Sequence, residues 1–170
     1  MLAKERLARL EETLDIDYEK LDEFEKELVL LASPTQKFEL KQRLKREVLP
    51  SIRQHESEYL QILSQEANLF HISEQQASQA IVDVVQQVEN ITTSGYNSYP
   101  PEVIELLKEI LRKLNELDKP AAAKLKATLP LLPPIVSYEV EIDTETSLRK
   151  IRQIITRPFK GSSKKKSTMM

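Results

Sequence analysis

The chain has 170 residues with 40% hydrophobic and 31% charged side chains, and a formal net charge of -2. It holds two glycines, Gly95 and Gly161, and no cysteine. These figures argue against multi-strand β folds and glycine-rich phosphate loops, and they exclude disulfides, thiolate nucleophiles and cysteine-based zinc sites. The first fifteen residues interleave charges with apolar positions, unlike a signal peptide, and no apolar run nears the ~20 residues of a membrane span. The expectation is a soluble cytoplasmic protein. Charge is unevenly spread. Of the 25 basic residues, eight lie in 149–170 with no acid among them, so the first 148 residues carry 17 basic against 27 acidic residues. An acidic body with a basic end speaks to partners more than to fold.

In chain order, Leu7, Leu10, Leu14, Leu21, Phe24, Leu28 and Leu31 form a heptad seam interrupted at Asp17. Ile16 and Tyr18 flank the break. Such a seam needs a partner helix, within the chain or in another copy. Ser33-Pro34-Thr35-Gln36 has the residues of a helix start: a capping serine, proline at the first position and glutamine three residues after the cap. The helix that follows presents Phe38, Leu40, Leu44, Val48, Ile52, Tyr59, Ile62 and Leu63, and the short turn predicts an antiparallel, coiled-coil-like hairpin. Pro50 predicts a kink near 46–50.

A second capping pattern, Ser73-Glu74-Gln75-Gln76, opens a third helix with Ala77, Ala80, Ile81, Val84, Val85, Val88 and Ile91. Residues 93–100 read as a linker dividing an N-terminal unit, 1–92, from a C-terminal one, 101–160. Pro100-Pro101 starts a fourth helix, and Asp118-Lys119-Pro120 a fifth that Pro130 ends. Pro130, Pro133 and Pro134 predict an extended path. In residues 135–142 Val136, Tyr138, Val140 and Ile142 alternate with polar residues, the pattern of a half-buried strand whose backbone needs a pairing edge. Asp143 or Thr144 is expected to cap a final basic helix that Pro158 ends, followed by a disordered basic tail over 161–170.

Little chemistry is visible. His55 and His71 stand apart, so surface or interhelical positions are expected of them, and Glu56 and Glu58 read as ordinary exposed helix charges. No catalytic elbow, Walker-type loop or paired Glu-x-x-His pattern occurs. The expectation is no enzyme activity, no metal, no cofactor and no small-molecule substrate. Arg149, Lys150, Arg152, Arg157, Lys164, Lys165 and Lys166 could contact an anionic membrane, and nucleic acid is a weaker fit because the body is acidic.

At KLDEFEKELVLLASPTQKFELKQRLKREV and AAAKLKATLPLLPPIVSYEVEIDTETSLRKI the chain resembles small helical effector-associated modules of bacterial, especially cyanobacterial, signalling and conflict systems. Those modules sit beside STAND-type NTPases, caspase-like peptidases or TIR domains. The resemblance implies recruitment through like-with-like contacts and no catalytic residues. The combined expectation is a mainly α fold: a helical hairpin, a third helix and a C-terminal helical unit with one extended strand. Its function would be a non-enzymatic interaction or adaptor module acting on a protein partner or on itself through its helical seams and the strand 135–142. The alternative is a peripheral membrane module using the basic C-terminal helix.

Overall fold

The computed structural model describes residues 2–94, 99–141 and 147–168. Its elements are α1 (Leu2–Leu30), α2 (Pro34–Arg43), a π turn (Leu44–Val48), α3 (Leu49–Gln65), a 3-10 turn (Ala67–Leu69), α4 (Glu74–Ser94), α5 (Pro101–Leu114), α6 (Ala121–Thr128), a 3-10 turn (Leu129–Leu131), α7 (Leu132–Glu141) and α8 (Ser147–Thr168). The described chain is mainly helical. None of its helices is long and apolar enough to cross a membrane. Two compact units, Met1–Tyr59 and Leu60–Met170, divide it within α3.

In the first unit the heptad seam is buried over its first part, while Phe24, Leu28 and Leu31 are half-buried. Leu7, Leu10, Leu14 and Leu21 of α1 are buried. Ser33 caps α2, its Oγ accepting from the Gln36 amide at 3.4 Å, with Pro34 at the first position. Contacts of α1 with the later helix run in opposite sequence sense: Arg6 with Glu58, Asp17 with Ser51 and His55, and Leu21 in one apolar cluster with Val48 and Ile52. The irregularity expected at Pro50 takes the form of the π turn. Proline offers no amide to the preceding turn and its ring crowds that turn's carbonyl. One extra residue loosens the turn there, and the Leu49 amide bonds back to the Leu44 carbonyl.

The second unit is organised around α4, which packs against α8, α6 and α5. Its buried face is Ala77, Ala80, Val84, Val88 and Ile91. Small and β-branched side chains let the neighbouring backbones approach closely. Ser73 starts the helix, accepting from the Gln76 amide at 3.0 Å. The expected boundary at 93–100 is not where the compact units divide, because α4 buries its apolar stripe with the helices that follow it.

The strand expected over 135–142 is corrected. Residues 135–141 are helical, and Ile142 lies outside the described residues. Leu129, Leu132, Ile135 and Val136 are buried, a spacing of three and four that includes residues before Pro133. Pro133 and Pro134 sit in the first turn of α7, where their missing amides cost nothing, so they start the helix instead of extending the chain. Tyr138 is half-buried.

The last helix also departs from expectation. Pro158 lies inside α8, which runs on to Thr168 over residues expected to be a disordered tail. Phe159, fully buried, holds the helix past the proline: its ring stands edge-on to Phe70, 6.0 Å between centroids and 77° between planes. The proposed caps Asp143 and Thr144 lie outside the described residues.

Candidate functional site

The ionisable groups that the first unit withdraws from water lie between α1 and α3. The polar break in the α1 seam, Asp17, is buried and has partners waiting for it. Its carboxylate accepts from His55 Nδ1 at 2.7 Å and from Ser51 Oγ at 3.3 and 3.4 Å. Ser51 and His55 are one helical turn apart, so both reach the same point on α1. Tyr18 is half-buried and donates to Glu56 Oε1 at 2.8 Å. Tyr59 donates to Glu11 Oε1 at 2.9 Å. Glu56 is 1% exposed and Tyr59 likewise 1%. The expectation of an ordinary exposed charge therefore fails for Glu56. Glu58, at the rim, forms an ion pair with Arg6. Ile16 stays 55% exposed, so it does not cover the seam's break.

These contacts set the electrostatics. Burial comes first in holding the Tyr59 hydroxyl far above its ordinary value. The Glu11 charge, the hydrogen bond to Glu11 and the Glu56 charge add to it. A neutral tyrosine locked to a buried carboxylate supplies the donor that carboxylate needs, and carboxylates cannot stay buried without one.

Serine, histidine and aspartate invite comparison with a hydrolytic triad, and the geometry rejects it. A triad places the serine and the aspartate on opposite ring nitrogens. Here Ser51 Oγ, at 3.5 Å, and Asp17 Oδ2 both face Nδ1 of His55. Ser51 donates to Asp17 and is not aligned for proton loss through the imidazole. Among the described residues no group of three or more His, Asp or Glu is placed to hold a metal ion. His71 is exposed and away from this set.

The sequence-predicted contact residues scatter. Val136 is buried with Ile135 and Leu132, so it is core and not a pairing face. The Val140 side chain and Ile142 lie outside the described residues. Of the anion-binding set, Arg152 is 1% exposed and is corrected from surface cation to core residue. Lys150 and Arg157 are exposed and Arg149 is partly so, while the side chains of Lys164, Lys165 and Lys166 lie outside the described residues. Leu148, Ile151, Ile155 and Phe159 fill the second unit's core, so the apolar stripe of α8 is not presented outward.

Sequence reasoning passed over the outer side of α4. Ile81, Val82 and Val85, with Gln86 and Glu89, line a depression there, and Val82 is 58% exposed. The signal was legible: the helix carries more apolar positions than one buried stripe uses. Sequence reasoning also passed over Glu74, whose carboxylate accepts from the Ala121 and Ala122 amides at 2.8 and 3.1 Å. Pro120 gives α6 no side-chain cap, and an acid from α4 supplies one. Compared with protein-family models, curated proteins and solved structures, the chain matches none.

Proposed function

We propose that the chain is a non-enzymatic interaction or adaptor module, and that its contact face is the outer side of α4, which receives an amphipathic helix of a partner protein. The observation that carries this reading is the half-open apolar set Ile81, Val82 and Val85. They are spaced so that a partner helix can lay its own apolar stripe along them. Exposed aliphatic side chains gathered in one concavity mark interaction surfaces more often than chance does. The use of Asp17, Glu11 and Glu56 in helix pairing, with Ser51 and Asp17 on one nitrogen of His55, supports a structural and not a catalytic role for the buried polar groups. The resemblance to effector-associated helical modules fits the same class of activity in bacterial signalling.

The test is a photo-crosslinking side chain placed at position 82 of the full chain and irradiated in cells, beside the same group at Leu117, which is 93% exposed. A defined protein adduct at 82, absent at 117 and lost on Val85→Glu, supports the reading. Adducts equal at both positions, or none at 82, overturn it.

A further inference from the structure

The turn between α1 and α2 is the most apolar exposed point of the first unit. Val29 is 81% exposed, Leu30 83% and Phe38 63%. Water-facing aliphatic and aromatic side chains within ten residues are costly to keep without a use. The helix behind them is basic. Residues 34–48 hold five basic against two acidic residues, and α2 buries one side chain, Leu40. Arg43 is engaged internally, over the Phe24 ring at 5.4 Å and 3.7 Å from Glu47. Lys37, Lys41 and Lys45 are exposed and make no ion pair among the described residues. Lys37 lies one residue before Phe38 and Lys41 three after it, four residues apart along one side of the helix, and Lys45 continues the row one turn on. Glu39 adjoins Phe38, Glu27 lies one turn before Leu30, and Asp22, Glu23 and Glu25 stand earlier on α1, so the basic side of the turn is the lysine row of α2.

We infer that this turn is a membrane-contact site: Val29, Leu30 and Phe38 enter the interfacial layer of an anionic bilayer, and Lys37, Lys41 and Lys45 bind its phosphate and carboxylate headgroups. Shape and charge select this occupant. A helix–helix turn is a convex tip, and a convex apolar tip suits a layer that deforms around it. The ring of unpaired lysines behind it complements a negative surface, as in interfacial amphipathic elements. The basic end of α8 lacks this combination, because its apolar stripe is buried. The inference is independent of the α4 reading and uses residues of the first unit alone.

Flotation tests it with the full chain and vesicles of phosphatidylcholine, alone or with about one-third phosphatidylserine, at low and physiological salt. The wild type should float with the anionic vesicles, less at higher salt, and not with the neutral ones. Lys37→Gln with Lys41→Gln should weaken partitioning by roughly 30-fold, from about two surface charges. Leu30→Ser with Phe38→Ser should abolish it, with helicity by circular dichroism unchanged. Replacing Lys164, Lys165 and Lys166 by glutamine should leave flotation in place. Flotation lost with the tail substitutions and kept with the turn substitutions overturns the inference, as does equal flotation on neutral vesicles. No flotation, with lysine-dependent retention on immobilised polyglutamate instead, also overturns it and makes the turn a contact for acidic protein.

Discussion

The two units bury polar groups in opposite ways. In the first, Asp17, Glu11 and one oxygen of Glu56 accept hydrogen bonds across the helix pair from His55, Ser51, Tyr59 and Tyr18. In the second, Thr128 and Thr156 turn back to carbonyls of their own helices, at 2.7 Å to Leu125 and 2.9 Å to Arg152, and apart from buried Arg152 and the Glu74 cap of α6 the described core is aliphatic and aromatic. Apolar contacts are strong and non-directional, so they hold helices together while tolerating small slides. Cross-helix hydrogen bonds are weak in net energy but costly to leave unmade, so they penalise every register but one. The first unit is therefore built for a defined pairing of α1 with α3, and the second for adhesion around α4.

The comparison breaks most visibly at Phe159. Phe159→Ala should cost about 3–5 kcal/mol, because it removes the buried ring that holds α8 past Pro158. Urea denaturation followed by far-ultraviolet circular dichroism would measure it. A cost under about 1 kcal/mol would mean that the second unit does not depend on that contact.

Tyr59→Phe should cost about 1–3 kcal/mol at neutral pH, since buried Glu11 loses the tyrosine hydroxyl as a donor. Its pH signature is more telling. The folded state raises the Tyr59 value above that of the unfolded chain, so the stabilisation is whole below about pH 10 and declines as pH rises above it. One retained proton corresponds to a loss of about 1.4 kcal/mol per pH unit in that alkaline window. Chemical denaturation from pH 9 to 11 should show a shallower fall in the variant, the difference in slope approaching that amount only near pH 11. Equal slopes would remove Tyr59 from the alkaline response.

Glu74→Ala should cost about 1 kcal/mol and speed hydrogen exchange at Ala121 and Ala122, the two amides it caps. Unchanged exchange there would show that water serves α6 equally well. The smallest change in stability, within about 1 kcal/mol of zero, is expected for Asp17→Leu combined with His55→Leu, because a hydrogen-bonded polar pair between helices is often replaceable by apolar side chains. What should change is uniqueness: sedimentation velocity should reveal added oligomers as the continuous seam finds other partners. A wholly monomeric double variant would deny the pair its register role.

Much of this was legible in the residues. Heptad leucines, two serine caps, Pro100-Pro101 and the irregularity at Pro50 are local rules, decided within a turn or two, so pattern and structure agree. The error at 135–142 has a specific cause. Period-two alternation in Val136, Tyr138 and Val140 competes with the three-and-four spacing of Leu129, Leu132, Ile135 and Val136, and Pro133 and Pro134 open α7 instead of extending the chain. The polar set at α1–α3 was half-visible: Asp17 stood out as an interruption, but nothing local says that Ser51, His55, Glu56 and Tyr59 face α1.

By itself, then, the sequence determined the helical class, the helix starts and the exclusion of thiol chemistry, because propensity, capping and composition act over a few residues. The tertiary structure alone decided which charges are core. Arg152, Glu56 and Phe159 look unremarkable in the chain, and Glu74 reaches amides nearly fifty residues away. Burial and capping across such distances depend on which helices meet, and that is settled by the sum of apolar contacts over a whole unit.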